Sequence, residues 1–294
     1  MNAIAAARRP GSVIEPRACV TVAVTEAAGF VGRRLLERLA PSDAFTVALA
    51  PRTSRLAADL VLSGPVDQGT AAEALRDADR IVHFAGPLRP ERGSYREATV
   101  AGAEAIARAA RRGTVRRIVF MSHVGADPSE RNEYLRSLGE AERVLSGAGC
   151  ELVVVRTTHI VGAPSYGGPL VEALQPGRDG VVLVPGDGRQ LVAPLLLDDA
   201  VSALLAGLED ARPGTYEVAG PEEMTLEELV LRVNRIGVVV RHVPARIARL
   251  AARFLPSLPL AAVDLMLRPS LARSGTEARN LGVSLHSVRR AWAD

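Results

Sequence analysis

Short runs of apolar, often β-branched residues alternate with amphipathic stretches along the first half of the chain. Runs of this length are typical of buried parallel strands, and the stretches between them repeat apolar residues with the period of a helix. The pattern predicts strands at 20–24, 45–50, 60–66, 80–84, 117–121 and 151–155, and helices at 30–39, 70–75, 95–112 and 130–145. Strands and helices that alternate in this way predict right-handed crossovers and a parallel sheet with both faces covered.

The regular alternation of strands and helices ends after Arg156, and turn-forming residues occupy 163–169. Asp198 or Asp199 is predicted to cap a helix at 200–208, and Thr225 with Glu228 forms a capping box for a helix through 233. Further short strands are predicted at 181–184, 216–219 and 238–240, and residues 244–268 read as two helices separated by prolines.

All 36 basic residues of the chain are arginine. Without lysine, the protein can form no Schiff base and has no side-chain ammonium to lower the pKa of a tyrosine. Aromatic residues make up only 3%, and the net charge of +3 is spread out, so a solvated surface is favoured over a nucleic-acid partner. No metal-ligand spacing and no apolar run of membrane-spanning length occurs, so we expect a cytoplasmic protein without a metal.

A glycine-containing turn joins the first predicted strand to the first helix. Thr25, Gly29 and Gly32 follow the spacing T-G-x-x-G-x-x-G, with Glu26 in place of the first glycine. A helix that begins at such a turn presents free N–H groups and a partial positive charge, which favour a pyrophosphate. Glu26 places a carboxylate where those phosphates would lie.

Seven segments in order extend this pattern: 25–37, 81–87, 116–126, 134–142, 154–162, 194–200 and 216–221. On these segments the chain resembles the atypical and extended short-chain dehydrogenase/reductase superfamily, closest to its epimerase-like and NmrA-like branches. The resemblance covers residues 18–230. It implies an α/β fold of Rossmann type, a doubly wound parallel sheet with a small C-terminal substrate-binding region.

The resemblance also implies how the chain is divided into structural regions. It assigns 1–16 to an N-terminal arm, 17–165 to the dinucleotide-binding core, 166–190 and 221–294 to a substrate or lid region, and 191–220 to a return to the core. The arginine-rich helices at 244–268 are compatible with a lid, a dimer contact or a membrane-surface helix, and we favour a lid or core packing.

For the cofactor, the resemblance implies a site made by the glycine turn and the ends of the next strands. The second strand ends without an acid for a ribose hydroxyl, whereas the turn Arg52, Thr53, Ser54 and Arg55 suits a 2′-phosphate, so NADP(H) is favoured over NAD. An ordinary arginine-bearing turn without a ligand is the alternative. The expected cofactor-binding residues are Thr25, Ala27, Gly29, Phe30, Val31, Arg52, Thr53, Asp67, Ala85 and Gly86.

For catalysis, the resemblance implies that Ser122 orients a carbonyl and that Tyr134 donates a proton. The lysine that assists the tyrosine in the family would fall at Leu138. His123 and His159 follow predicted strand ends and could titrate near neutrality in the lysine's place, although a structural histidine is the commoner case.

Three functions therefore remain open. The first is an NADP(H)-binding reductase or epimerase-like tailoring enzyme for a small apolar or polycyclic carbonyl or hydroxyl compound, which we favour. The second is a non-redox cyclase, isomerase or lyase on the same fold. The third is a non-catalytic NmrA-like dinucleotide sensor. A small-molecule substrate is expected in the first two, and a homodimer is compatible with all three.

Overall fold

The computed structural model describes residues 19–50, 55–64, 66–84, 86, 88, 94–164, 166–234, 237–254 and 259–292. The strands are β1 (Thr21–Val24), β2 (Phe45–Ala50), β3 (Leu60–Ser63), β4 (Arg80–Phe84), β5 (Arg117–His123), β6 (Glu151–Thr157), β7 (Ile160–Val161), β8 (Val181–Pro185), β9 (Leu191–Val192), β10 (Leu195–Leu196), β11 (Gly214–Val218), β12 (Met224–Thr225) and β13 (Val239–Val243). The helices are α1 (Phe30–Leu39), α2 (Gly69–Asp77), α3 (Tyr95–Arg112), α4 (Glu133–Ser146), α5 (Pro169–Ala173), α6 (Leu197–Glu209), α7 (Leu226–Asn234), α8 (Ala245–Phe254), α9 (Leu260–Met266), α10 (Glu277–Asn280) and α11 (Val288–Ala291).

Seven strands form one parallel sheet in the order β11-β6-β5-β4-β1-β2-β3. The chain moves outward from β1 through β2 to β3, then crosses back to β4 and moves outward in the other direction. The predicted doubly wound α/β class is therefore confirmed. In such sheets, ligands bind beyond the carboxyl ends of the strands at the point where the direction reverses, which here lies between β1 and β4.

The two faces of the sheet carry separate apolar cores. One core joins α1 and α6 to the sheet, and Leu35, Leu36 and Leu204 are fully buried there. The other joins α2, α3 and α4 to the opposite face, around Phe120 and Ile106. Strands covered on both sides need apolar residues at successive positions, which explains the continuous apolar runs in the sequence.

Late residues of the chain complete the core beside α1. Ala278 and Leu281, from α10 and the residue after it, are buried in the same cluster as α1 and α6, and so is Val283. A third cluster lies around the small parallel sheet of β8 and β13 and includes α7 and Trp292. The division into an arm, a core and a substrate region stays a prediction.

Some predicted boundaries were wrong for local reasons. β3 ends at Ser63 rather than 66, because Gly64 adopts a φ of +126°. Helix α6 begins at Leu197, so Asp198 and Asp199 lie in its first turn and do not cap it. The two-residue strands β7, β9, β10 and β12 were not predicted, since two residues carry no periodicity.

Helix α4 packs closely on the preceding loop through a glycine. A Cβ atom on Gly139 would lie 2.4 Å from the carbonyl carbon of Asp127 and 2.5 Å from the nitrogen of Pro128. Alanine normally stabilises a helix relative to glycine by about 1 kcal/mol. Here the contact is with backbone, which cannot move aside cheaply, so overpacking outweighs propensity.

We expect Gly139→Ala to lower the free energy of unfolding by about 1–3 kcal/mol in urea denaturation. The matched control is Gly147→Ala at the end of the same helix, where a Cβ would lie 3.5 Å from its nearest neighbour, the carbonyl oxygen of Val144. The control should unfold within about 1 kcal/mol of the wild type. Equal stability of the two variants would contradict the packing described here.

Candidate functional site

The turn between β1 and α1 is held by the ends of two neighbouring strands. The amide of Thr25 donates to the carbonyl of Val82 at 3.0 Å, and the amide of Ala27 donates to that of Leu49 at 3.1 Å. Ala27 is fully buried, so its amide and side chain position the turn and do not face a ligand. This fixes the start of α1 at the reversal point of the sheet.

The first turn of α1 is open to an anion. Gly29 is the N-cap and has no side chain to satisfy the amides that follow, those of Phe30 and Val31 among them. A Cβ on Gly29 would lie 3.1 Å from the Glu26 carbonyl oxygen, and one on Gly32 would lie 2.7 Å from the same atom. Both glycines are therefore needed for the turn to close against the helix, as the spacing predicts.

Glu26 is the one non-glycine residue with a positive φ, +48°, among the described residues. Its carbonyl accepts from the amide of Gly29 at 2.9 Å, which closes the turn. The side chain reaches solvent, yet protein atoms crowd it, and desolvation raises the pKa of its carboxyl above the ordinary value. The family's glycine at this position would adopt the same φ without strain.

An arginine that the sequence reasoning missed lies at this turn. Arg33 Nε donates to the Ala28 carbonyl at 2.9 Å, and its Nη1 lies 3.5 Å from the Arg55 carbonyl. This exposed guanidinium is held beside the glycine turn and the chain that follows β2. Its place directly after Gly32 was the available signal. Arg52, Thr53 and Ala85, which the sequence assigned to the cofactor, lie outside the described residues.

Phe30 joins the turn to the loop before α5. Its ring centroid lies 5.8 Å from that of Tyr166, and a Cβ on Gly168 would lie 2.5 Å from its Cζ atom. Arg34 lies 5.9 Å from the Tyr166 ring and donates to Asp198 of α6 at 2.6 Å. The 166–168 loop therefore borders the mouth of the candidate nucleotide site.

A buried histidine supports the turn from inside the sheet. His83 Nδ1 lies 2.8 Å from the Thr25 hydroxyl, and its ring stacks on Phe120 at 5.3 Å. Burial lowers the pKa of His83 to about 3, so it is neutral. Gly86 packs on α3, where a Cβ would lie 2.6 Å from the Thr99 hydroxyl, whereas Asp67 lies exposed after β3.

Three expected catalytic side chains meet at the carboxyl edge of the sheet. The ring centroids of His123 and Tyr134 are 6.4 Å apart, and those of His123 and His159 are 5.5 Å apart. Tyr95 contacts the other side of Tyr134 at 6.1 Å. His123 Nδ1 lies 2.8 Å from the carbonyl of Val124, while its buried Nε2 has no hydrogen-bond partner among the described residues.

The titration behaviour of this cluster differs from the expectation. Desolvation lowers the pKa of His123 to about 4 and that of His159 to about 3, so neither titrates near neutrality. Desolvation first, and then Tyr95, raises the pKa of Tyr134 to about 12. Within the part of the chain that the structure describes, no cation shifts the pKa of the tyrosine hydroxyl.

The Ser122 hydroxyl does not donate a hydrogen bond into this cluster. Its hydroxyl donates to Glu142 Oε1 at 2.6 Å, and Arg156 donates to both oxygens of the same carboxylate at 3.0 and 2.6 Å. The proton that would orient a substrate carbonyl is thus bonded within the protein, which does not match the role that the resemblance implied. Glu142 and Arg156 were missed, because a lone Glu and Arg in a helix and a strand carry no motif.

Leu138 occupies the position that the resemblance implied for a lysine. It is fully buried in the core beneath α4, among residues such as Leu135 and Leu145. The position therefore points into apolar packing, and a cation there would lose its hydration.

Among the described residues, no group of three or more His, Cys, Asp or Glu side chains has metal-binding geometry. No helix in the described part of the chain is both long and apolar enough to cross a bilayer.

The NAD(P)H-binding family profile matches residues 27–185, which is more than half of the sequence. The chain belongs to the NAD(P)H-binding family. The resemblance to the short-chain dehydrogenase/reductase superfamily, drawn above from the order of its segments, is confirmed.

A curated relative is the mitochondrial NADH dehydrogenase [ubiquinone] 1 alpha subcomplex subunit 9 of Arabidopsis thaliana, 25% identical over 231 residues. The match covers 71% of this chain and 56% of that protein, so the chain spans little more than half of its length.

Solved structures with the same fold include MoeE5 in complex with UDP-glucuronic acid and NAD, at 19% identity and a TM-score of 0.72, covering 93% of this chain and 96% of that one. The UDP-glucuronic acid 4-epimerase of Bacillus cereus, in complex with UDP-glucuronic acid and NAD, is 14% identical with a TM-score of 0.70, covering 93% and 97%. At these identities the likeness concerns the fold.

The neutral histidines make folding stability depend on pH. A histidine with a folded pKa of about 3 or 4 binds fewer protons than in the unfolded chain, where the pKa is about 6.5. Its contribution is complete above about pH 6.5 and is lost as the pH falls toward 4, at up to about 1.4 kcal/mol per pH unit per residue. We expect His159→Gln to flatten the stability curve in this window.

The measurement is the free energy of unfolding in urea at pH values between about 4.5 and 7. Thr158→Val, at the buried residue next to His159, removes no ionisable group, so it is the control and should keep the slope of the wild type. A slope unchanged in His159→Gln would contradict a neutral, buried imidazole at this position.

Proposed function

We propose that this protein binds NADP(H) at the first turn of α1 and serves as a dinucleotide-responsive binding protein, without tyrosine-based hydride transfer. The observation that carries the proposal is the environment of Tyr134, which is desolvated, has no cation acting on it from the described residues and has Leu138 one turn further along α4. Family membership supports the nucleotide site, and the altered tyrosine site supports binding without turnover.

The glycine turn supplies the binding energy for the diphosphate. The uncapped amides at the start of α1 and the helix dipole favour the anion, as they do in other nucleotide-binding helices. Arg33 adds a guanidinium beside the turn, and Arg55 follows in the chain after β2. Since no carboxylate ends β2 to accept from a ribose hydroxyl, the 2′-phosphate form of the cofactor fits this charge better.

The tyrosine site opposes hydride transfer in both directions, since a raised pKa makes Tyr134 a weak proton donor for reduction and keeps it from acting as the base for oxidation. A tyrosine acting as a base must lose its proton, and with a pKa of about 12 only about one molecule in 10⁵ does so at pH 7. Desolvation in the cluster also keeps both histidines neutral, so they supply no positive charge to stabilise a tyrosinate. The relative named as a subunit of NADH dehydrogenase is compatible with a protein of this family that acts within a larger assembly.

A second candidate is the reductase or epimerase-like enzyme. It is favoured by the meeting of Tyr134, His123 and His159 at the carboxyl edge of the sheet, where the buried Nε2 of His123 is free to bond a ligand. In that case neutral Tyr134 donates a proton to the reduced carbonyl oxygen, and a small carbonyl compound is the substrate.

Glu26 provides a test of the nucleotide site. Because desolvation raises its pKa, the carboxyl becomes neutral as the pH falls through that raised value, and its repulsion of phosphates disappears. We expect the affinity for NADPH to rise on acidification in the wild type. We expect Glu26→Gln to bind roughly tenfold more tightly at pH 7.5, about 1.4 kcal/mol, with little pH dependence.

The measurement is a titration followed by nicotinamide fluorescence, with NADH in parallel. Glu26→Gly is the matched variant, since it removes both the charge and the strain of the positive φ. If Gln and Gly bind alike, charge is the whole effect. No uptake of either coenzyme by any of the three proteins would contradict the proposed site.

Tyr134 separates binding from turnover. We expect Tyr134→Phe to bind NADPH within about twofold of the wild type, because its role in the cluster is apolar packing. We also expect the wild type to consume no NADPH with a panel of ketones, aldehydes and quinones, as followed by absorbance. Consumption by the wild type that Tyr134→Phe abolishes would establish the reductase instead.

A further inference from the structure

Helix α8 is strongly amphipathic, but its apolar side does not face the protein. At about 100° per residue, Ile247, Leu250 and Phe254 fall within a sector of about 60°. These side chains are 56%, 55% and 76% exposed, whereas Ala248 is the one buried residue of the helix. The helix therefore packs through small residues and presents its large apolar side chains to the outside.

Arginines border this apolar sector. Arg246, Arg249 and Arg253 fall within a second sector of about 60°, centred about 100° from the first. All three are exposed, and the helix contains no acidic residue. Arg249 donates to Asp264 of α9 at 2.6 Å, while Arg246 and Arg253 form no ion pair within the part of the chain that the structure describes. The three apolar residues with Arg246 and Arg253 are called the α8 face below.

Two other uses of the α8 face fit less well. A lid, which the sequence favoured, would direct its apolar residues toward the site, but here they point away from the protein. An isologous dimer places the same patch of both copies against itself. When the two α8 helices pair antiparallel, their arginines approach along one seam, with no acidic residue on the helix to pair them.

We propose that the α8 face docks on an anionic lipid surface. Helices that lie in the interface of a bilayer combine an apolar sector, which enters the acyl boundary, with basic residues that meet anionic headgroups. The α8 face has both parts side by side on a helix that α9 holds against the protein. A peripheral, salt-sensitive association is the expected form, with the apolar side chains of α8 inserted and its unpaired arginines on lipid phosphates.

The experiment is cosedimentation of the full chain with large vesicles of phosphatidylcholine, either pure or mixed with phosphatidylglycerol. We expect binding to the mixed vesicles that weakens as salt is raised, and little binding to the pure ones. Phe254→Ser should lower the partition coefficient by about tenfold or more, because it removes the most exposed apolar side chain of the face. Arg246→Glu combined with Arg253→Glu should lower binding to mixed vesicles at least as much.

The matched control is Leu231→Ser, which replaces an exposed apolar residue of α7, 49% accessible, and should bind vesicles like the wild type. Far-ultraviolet circular dichroism and thermal unfolding establish that the variants are folded. Absence of vesicle binding by the wild type, or equal binding by Phe254→Ser, would overturn the proposal. So would a concentration-dependent dimer that the α8 substitutions dissociate while vesicles remain unbound, since the face would then join two copies.

Discussion

The position of the first turn of α1 is the constraint on which the candidate site depends. Two backbone hydrogen bonds, from Thr25 to β4 and from Ala27 to β2, hold the turn at the reversal point of the sheet. Gly32 permits this only because it has no Cβ to meet the Glu26 carbonyl. The same geometry gives the first amides of the helix no side-chain cap among the described residues, so one backbone arrangement creates both the close packing and the candidate anion site.

Near this turn, an uncharged cluster of side chains and an ion pair occupy separate places at the edge of the sheet. The cluster of His123, His159 and Tyr134 is uncharged because burial disfavours every ionised form. Beside β5, Glu142 and Arg156 form a bidentate ion pair, and Glu142 also accepts a hydrogen bond from the Ser122 hydroxyl. Both side chains are mostly shielded from solvent, so the pair depends on these hydrogen bonds, and removing either partner leaves the other without its nearest opposite charge. The ion pair of Glu142 and Arg156 therefore explains why the Ser122 hydroxyl makes a hydrogen bond within the protein and is not free for a ligand.

The sequence was sufficient for the architecture and for the glycine turn. Strands such as β1 and β2 are continuous apolar runs because both faces of the sheet are covered, and α1 carries its apolar residues on one side. The chemistry of individual side chains was harder to predict from the sequence. The pKa of His159 depends on burial by residues distant in sequence, and the bond between Ser122 and Glu142 spans 20 residues without a motif. Arg33 was missed for a different reason, because its role depends on the fold of the turn that precedes it.

The packing of Ala278, Leu281 and Val283 against the cluster of α1 has a consequence for biosynthesis. A ribosome delivers the nucleotide-binding turn roughly 250 residues before Ala278, the first of the residues that cover the neighbouring apolar surface. During that interval the leucine-rich side of the nascent domain lacks part of its cover and is exposed to chaperones and to aggregation. Completion of this core during synthesis thus depends on a short segment that is far in sequence from the helix that it shields.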